Sequence, residues 1–310
     1  MYFPFMRGKR HELSALRKTA SNLSPEHIKP IIEPVRSDKS ELFRTIKELN
    51  KNNIHPLIII NPLVGQLTNS SPNDFLNELK TEKLTFLPCI AFNHQNLNHS
   101  IQLANQLIST QQRFATYFQD QPTTPVLNIT TTAIFNTIRS TPNMSIQFQS
   151  QLPRVVKITD SFEAQNRNAD YTIHPYFFSD SHLTYRDTAN AVGFGDYQIV
   201  GEPFTENGGP ARAVAIHITY INANDHNSMY IKHCVSTIDN GTTSNTASKF
   251  LEALDQLILF NNQTIDLDQT TLGFQGFIDL HSRRHYPNLG PVKENSMMHH
   301  IETISNCLGQ

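Results

Sequence analysis

The sequence predicts an α/β protein that folds as an irregular eight-stranded (β/α) barrel of the TIM-like type. Short aliphatic runs alternate with segments of helical periodicity through the first half of the chain. Strands that alternate with helices form parallel sheets, because parallel neighbours need a long crossover connection. Eight strand-like runs are visible, and eight parallel strands are the number that closes this kind of barrel. An open doubly wound α/β sheet is the alternative.

The predicted elements follow one another from the first aliphatic run onward. The run KPIIEPV is a strand at 29–35, and Leu42, Ile46 and Leu49 then recur at helical spacing in a helix at 40–53. The remaining predicted strands of this half are 55–62, 85–92, 113–118, 125–129 and 154–160. The remaining predicted helices are 73–80, 96–109 and 131–140. The last two barrel strands are predicted to end near Gly201 and Tyr220.

The barrel is expected to carry an insertion and a C-terminal extension. Residues 161–192 are polar and aromatic, lack helical periodicity and are too long for an ordinary connection, so an insertion or lid is predicted there. After Tyr220 the segment NANDHNS separates two strand-like runs, which indicates a hairpin. Helices are predicted at 248–262 and 288–305. No linker composition interrupts the chain, which is interpreted as one domain, 1–310.

Composition limits the class of protein. A chain of 310 residues with 38% hydrophobic content can fill a core. There is no run of eighteen apolar residues and no secretory signal, so no membrane span is expected and a cytoplasmic location is predicted. The three cysteines are far apart, which argues against a disulfide framework. The net charge of -2 does not support direct nucleic-acid binding, although a local basic patch is compatible with it.

Polar residues at predicted strand ends are the candidate functional groups, because barrel enzymes carry their chemistry at the C-terminal ends of strands. The sequence contains none of the usual motifs for dinucleotides, P-loops, nucleophile elbows or zinc helices. The candidate catalytic residues are Glu33, Lys157 and His217. The candidate ligand-binding residues are Asn61, Asp160 and Glu202. His94 and Asn128 are the other polar groups at predicted strand ends.

Glu33 and Lys157 are predicted to share the barrel interior. Glu33 ends an aliphatic run, and an ionised carboxylate in an interior needs a partner. Lys157 is predicted to point into the same space, where a lysine can act as a base or Schiff-base nucleophile. A structural ion pair between Lys157 and Glu33 is the alternative, and we expect their charged groups to lie within ion-pair reach.

His217 lies in the run ARAVAIHIT, after a predicted turn at Gly208-Gly209-Pro210. Alternate side chains of this strand form a small, polar face that includes His217 and an aliphatic face. The small neighbours favour a cavity beside the imidazole, and a satisfied core histidine is the alternative. His233 on the returning strand can join His217 if the register places the two opposite one another. The spacing of Asp and His at 160–196 matches no metal-ligand motif, so no metal site and no particular cofactor are predicted.

Several segments together resemble a known family. They are MYFPFMRGKRHELSAL, IIEPV, VVKITDSF, NADY, GFGDYQIVGE, GGPARAVAIHITY and HYPNLGPVKENSMMHHIE. In order and spacing they are similar to an uncharacterised bacterial group related to the phage beta protein family, and the resemblance spans essentially the whole chain.

The resemblance implies a function by association. It implies an accessory or interaction component of a bacterial phage-defence (antiviral) or toxin–antitoxin type system, acting with a nuclease-like protein partner encoded nearby. The alternative is a barrel enzyme or small-molecule sensor with a polar pocket at the strand C-terminal ends. Homo-oligomerisation is compatible with either. Convergence of the candidate residues on one open pocket favours the enzyme or sensor, whereas a filled barrel with an exposed apolar patch favours the interaction component.

Overall fold

The computed structural model describes residues 1–206, 209, 211–264 and 266–309. The chain forms two compact units, Met1–Asp160 with Ser181–Tyr197, and Ser161–Asp180 with Gln198–Gln310. The sequence predicted one domain, whereas the structure has two units. Of the predicted turn at Gly208-Gly209-Pro210, the first and last residues lie outside the described part of the chain.

The first unit contains eight strands. They are β1 (Phe5–Met6), β2 (Ile31–Ile32), β3 (Leu57–Ile59), β4 (Leu87–Phe92), β5 (Ala115–Phe118), β6 (Asn136–Arg139), β7 (Val155–Thr159) and β9 (Ala191–Asp196). The intervening strand β8 (Tyr176–Ser179) belongs to the second unit. Neighbours pair in the order β1-β2-β3-β4-β5-β6-β7-β9, and every pair is parallel. The helices are α1 (Arg10–Thr19), α2 (Ser40–Lys51), α3 (Pro72–Thr81), α4 (Leu97–Ser109), α5 (Leu127–Thr132), α6 (Ile146–Gln151) and α7 (Ser181–Thr184).

Residues 1–3 close this sheet into a barrel. Tyr2 forms parallel bridges with Ile28 on one side and with Phe194 on the other. The Phe3 N–H donates to the Phe194 carbonyl at 2.8 Å, and the Phe194 N–H donates to the Met1 carbonyl at 3.1 Å. The predicted (β/α)8 TIM-like barrel is therefore confirmed, and the open doubly wound sheet is not the fold.

Alternate side chains of the strands fill the barrel. The interior cluster contains residues of seven of the eight strands or of their direct extensions, namely Phe3, Phe5, Ile31, Leu57, Ile59, Cys89, Ala91, Ala115, Tyr117, Val156, Ile158 and Tyr197. All of them are buried, which is the packing expected of a closed eight-stranded barrel. The barrel is a core and not a channel.

Two elements between β5 and β7 differ from the sequence prediction. The predicted strand at 125–129 overlaps helix α5, and the predicted helix at 131–140 contains strand β6. The β-branched Thr131 and Thr132 suit a helix here because their hydroxyls bond the carbonyls of the preceding turn. Asn136 suits a buried strand because its amide nitrogen donates to the carbonyls of Thr130 and Pro153.

The sequence prediction also misplaced strands at both ends of the barrel. It missed β1, whose two residues are too few to show a periodicity. The strand expected to end near Gly201 ends at Asp196. The strand expected to end near Tyr220 is not a barrel strand, because it belongs to a separate antiparallel sheet.

The second unit is a three-stranded antiparallel sheet with helices. Strand β10 (Ala215–Asn222) pairs with β11 (Ser228–Val235), and β11 pairs with β8. The predicted hairpin after Tyr220 is confirmed, as are the two helices predicted in this region, α8 (Thr246–Gln263) and α10 (Leu289–Leu308). A further helix, α9 (Leu272–Ser282), lies between them. The aliphatic face of β10 packs on Phe250, Leu254 and Phe274.

The predicted insertion at 161–192 is divided between the units. Its first part contains a 3-10 turn (Asn168–Asp170) and supplies β8 to the sheet of the second unit. Its second part contains α7, a 3-10 turn (Tyr185–Asp187) and the first residues of β9. Some of the aromatic residues that lack helical periodicity therefore form β8, the edge strand of that sheet. Whether the first part acts as a lid stays a prediction.

Within the described residues, no helix combines the length and the apolar character that crossing a membrane requires.

We expect barrel closure to depend on Gly195. A Cβ atom there would lie 2.1 Å from the Phe3 carbonyl oxygen and 2.6 Å from Ile158 Cδ1, both within the closed sheet. The Gly195→Ala substitution should lower the free energy of unfolding by about 1–3 kcal/mol, the usual cost of overpacking. Urea denaturation measures this. Gly241→Ala is the matched control, since a Cβ at Gly241 meets no atom within 4 Å. Equal effects of the two substitutions would contradict the assignment.

Candidate functional site

A buried ion pair lies at the end of the barrel where the strands exit. Arg7 follows β1 and Glu33 follows β2, so parallel pairing brings both side chains to this end. Their guanidinium and carboxylate form an ion pair, with side-chain exposures of 6% and 0%. The other carboxylate oxygen of Glu33 accepts a 2.6 Å hydrogen bond from the Leu63 N–H. Glu33 is therefore a carboxylate whose charge is balanced within the barrel wall.

Lys157 is not the partner of Glu33, and that expectation is wrong. Val156 and Ile158 belong to the barrel interior, so Lys157 between them points to the outer face of the sheet. There it lines a small cavity of about 70 Å³ with Ser181 and Tyr185. The period-two alternation was correct, but alternation alone does not indicate which face is inside. Arg7, in the unassigned N-terminal segment, supplies the cation instead.

Aromatic groups surround the Arg7–Glu33 pair. The Arg7 guanidinium lies 5.1 Å from the ring centre of Phe5 and 5.8 Å from that of Tyr197. The hydroxyls of Tyr197 and Tyr117 are 2.8 Å apart. Burial, with a smaller contribution from the charge of Glu33, raises the pKa of the Cys89 thiol far above its usual range. Cys89 is therefore a protonated thiol at neutral pH, not a nucleophile.

The three predicted ligand-binding residues have different surroundings. The Asn61 side chain accepts from the Ala91 N–H at 2.8 Å and donates to the Ala91 carbonyl at 2.9 Å and to the Ser100 hydroxyl at 3.1 Å. It extends the β3–β4 ladder beyond the last strand residue, which is a structural role. Asp160 is exposed directly after β7. Glu202 is partly exposed in the second unit.

An open cavity of about 770 Å³ lies where β4, β5 and β6 end. Its lining includes His94, Asp120 and Arg139, each at or just after the end of its strand. The His94 N–H donates to the Asp120 carboxylate at 3.3 Å. His94 was among the predicted strand-end residues. Arg139 was not, because the sequence predicts a helix over 131–140. Asp120, just after the predicted strand 113–118, was not among them either. Asn128, the remaining strand-end residue of the sequence prediction, is exposed on α5.

His217 and His233 face each other across the β10–β11 hairpin of the second unit. They are directly opposite in the register, as the sequence analysis required, and their Nδ1 atoms are 2.7 Å apart. His233 Nε2 is 3.0 Å from the Tyr176 hydroxyl. Two neutral imidazoles can share this contact only if one Nδ1 donates and the other accepts. The three groups form a continuous path along which a proton can move.

Aromatic rings fill the space beside His217. The ring centres of Tyr171 and Phe162 lie 4.7 and 5.0 Å from that of His217. The small face of β10 is thus covered by bulky side chains of the second unit, and no bound group is needed to fill it. Burial and the neighbouring charges of His233 and Lys293 hold the pKa of His217 well below its usual value. Burial and the charge of Lys232 lower the pKa of His233 to about 4.

The imidazole pair also borders an open cavity, on the side of Tyr176. His233 and Tyr176 line a cavity of about 340 Å³ together with Glu163, Tyr171 and His174. Burial and the charge of Glu163 raise the pKa of Tyr176 to about 12, so its hydroxyl stays protonated near neutral pH. The arrangement can pass a proton between this cavity and the imidazole pair.

Two further buried histidines, His299 and His300, lie on α10. His299 Nε2 donates to the Thr219 carbonyl at 2.7 Å, and its Nδ1 accepts from the Thr271 hydroxyl at 2.7 Å. His300 Nδ1 is 2.9 Å from the Thr219 hydroxyl. Burial lowers the pKa of His299 to about 4. These contacts fix α10 on β10. Alternating hydrophobicity could not reveal them, because buried helices are normally apolar.

Among the described residues, no group of three or more His, Cys, Asp or Glu side chains is placed to hold a metal ion.

No protein-family model matches the sequence, and no curated protein matches it. A tryptophan synthase from M. tuberculosis is similar in structure, with a TM-score of 0.37 and 9% identity over 63% of this chain and 82% of that one. A chitinase from Chromobacterium violaceum has a TM-score of 0.40 and 9% identity over 66% of this chain and 95% of that one. The barrel assignment rests on the strand order described above.

We expect the Arg7–Glu33 pair to stabilise the barrel. The Glu33→Gln substitution keeps the shape and an acceptor for Leu63 but removes the negative charge that Glu33 places against the buried guanidinium. It should lower the free energy of unfolding by about 3–5 kcal/mol. Glu82→Gln is the control, because the Lys47–Glu82 pair is 53% and 41% exposed and its loss should cost about 0–1 kcal/mol. Chemical denaturation that finds Glu33→Gln as mild as the control would refute the role of the buried pair.

We also expect stability to fall on acidification below about pH 6.5. The native-state pKa values of His217, His233 and His299 are depressed, so the unfolded chain binds protons that the native chain does not. The contribution of these neutral histidines to the free energy of unfolding is complete above their unfolded-state pKa and is lost as the pH falls toward about 4. Urea midpoints at pH 7 and pH 5 measure this loss. It should be smaller in His233→Gln and unchanged in His285→Gln, whose histidine is exposed.

Proposed function

We propose that this protein is an interaction component of a bacterial phage-defence or toxin–antitoxin type system, and that it binds a nuclease-like protein partner encoded nearby. The observation that carries the proposal is an exposed apolar groove on the outside of the barrel, between α5 and α6. The resemblance to an uncharacterised bacterial group related to the phage beta protein family supports the biological setting by association.

The groove exists because two barrel helices are short. Helices α1 to α4 have 10, 12, 10 and 13 residues, whereas α5 and α6 have 6 each. The short pair leaves a groove of about 420 Å³ lined by Pro122, Pro125, Val126, Leu127, Phe148 and Leu152. Short outer helices therefore leave the sheet less fully covered at this side of the barrel.

Two large apolar side chains are exposed on the helices that flank the groove. Leu127 on α5 is 66% exposed and Ile146 on α6 is 83% exposed. Exposed apolar surface that is rimmed by polar groups marks sites of protein interaction. An amphipathic helix of the partner, with aliphatic anchors spaced along one face, has the chemistry that fits such a groove.

The barrel interior supports the same interpretation. Phe3, Phe5, Tyr117 and Tyr197 fill it, and the carboxylate of Glu33 is balanced by Arg7. Glu33 and Lys157 lie on opposite faces of the barrel wall and do not converge on a pocket. These features favour a scaffold whose outer surfaces bind a protein partner.

The test is binding to the product of the adjacent gene, measured after co-expression by native mass spectrometry and by titration of the purified proteins. The Leu127→Glu/Ile146→Glu double variant should bind at least ten times more weakly, because two charges would have to be desolvated at the interface. Both positions are exposed, so the thermal midpoint of the variant should be unchanged.

Leu259→Glu is the matched control, since Leu259 is 58% exposed on α8 of the second unit. It should bind as the native protein does. The proposal fails if the native protein forms no complex with the adjacent gene product, or if the control and the groove variant lose affinity equally.

The cavity at the ends of β4, β5 and β6 favours a second function, a small-molecule sensor or barrel enzyme. Its position at strand C-terminal ends is the one that barrel enzymes use, and Arg139 gives it a group that can bind an anion. The same mass spectra distinguish this function. A co-purifying small molecule that the native protein retains and an Arg139→Gln variant loses would support it.

A further inference from the structure

A second open cavity lies at the opposite end of the barrel, where the strands begin. It has a volume of about 460 Å³ and lies at the entries of β2 to β6. Three basic side chains line it: Lys29 precedes β2, His55 precedes β3 and Arg113 precedes β5. Parallel pairing places the starts of these strands side by side, so residues far apart in sequence meet here. The near-neutral net charge is compatible with a local basic patch, and this cavity is such a patch.

The charges in this cavity repel one another. None of the described residues that line it is acidic. Burial and the charge of Arg113 lower the pKa of Lys29, and burial and the charge of Lys29 lower the pKa of His55. Lys29 Nζ also donates to the His55 carbonyl at 3.4 Å, which holds it beside the imidazole. An anion between these groups would replace repulsion by attraction.

The remaining walls of the cavity are apolar. Phe86, Leu87, Ile134 and Phe135 line it, and Thr85 and Gln112 add neutral polar groups. Inorganic phosphate would use only the basic groups and leave the aromatic wall exposed. A ligand that carries both an anionic group and a flat apolar body would use the whole cavity.

We propose that the strand-entry cavity binds the phosphate and base of a nucleoside 5′-phosphate. Arg113 and Lys29 contact the phosphate, and the base lies against the phenyl rings of Phe86 and Phe135. Arginine binds phosphate in a bidentate manner, and bases stack on aromatic side chains irrespective of sequence. The ligand is either a free mononucleotide or the 5′-phosphorylated end of a single strand. This site is independent of the α5–α6 groove.

Isothermal titration of the full-length protein tests the proposal with four probes: adenosine 5′-monophosphate, adenosine, inorganic phosphate and a 5′-phosphorylated oligothymidine. We expect the monophosphate to bind at least ten times more tightly than adenosine and than inorganic phosphate. Oligothymidine that binds far more tightly than the monophosphate would identify a strand end as the source of the ligand. Equal or weaker binding would identify the free nucleotide.

Arg113→Gln and Lys29→Gln should each weaken monophosphate binding at least tenfold. Arg44→Gln is the control, since its side chain is 70% exposed on α2 and away from the cavity lining, and it should bind normally. The proposal is overturned if the monophosphate does not bind at millimolar concentration, if inorganic phosphate binds equally well, or if both cavity variants retain full affinity. None of these results bears on binding to the groove, which is measured with a protein partner.

Discussion

Two backbone hydrogen bonds between residues 1–3 and Phe194 turn a curved sheet into a closed barrel. The remaining features of the first unit depend on this closure. It places Phe3 and Phe5 in the interior with Tyr197, while the neighbouring β1–β2 pairing brings Arg7 beside Glu33. Closure is sterically possible because β9 has glycines at 193 and 195, where a Cβ would lie 2.5 and 2.1 Å from backbone oxygens of Met1 and Phe3. The Tyr2 hydroxyl completes the contact by donating to Asp196 at 2.6 Å.

The polar groups of the molecule divide into those that hold the fold and those that face solvent-filled space. Glu33, Asn61 and His299 are saturated by partners and serve the fold. Arg139, Arg113 and Tyr176 line open cavities. Strand ends carry both kinds, so position at a strand end does not by itself distinguish a structural group from a binding group.

The sequence predicted the barrel correctly because long aliphatic strands and amphipathic helices such as β4 and α2 have clear periodicity. The sequence offered the facing pair of His217 and His233 on the condition that the register placed them opposite, and the locally fixed register of the hairpin meets that condition. The prediction failed at β1, which has only two residues, and at β6, which is short and polar. The interior position of Arg7 and the outward position of Lys157 could not be predicted, because alternation gives two faces without saying which one is inside. The two glycines of the GFGDY segment, at 193 and 195, serve barrel closure.

The contact that completes the barrel joins residues 194 positions apart in the chain. During vectorial synthesis on the ribosome, the first residues therefore emerge long before their neighbouring strand exists. Until residue 194 has left the exit tunnel, β1 is the edge strand of an incomplete sheet. Its unpaired N–H and C=O groups can then form hydrogen bonds with strands of other chains. Loop closure over such a separation is slow compared with local pairing. Residues 1–3 consequently wait for the residues around 194 before the sheet can close, and the edge strand β1 is open to pairing with other chains during that interval.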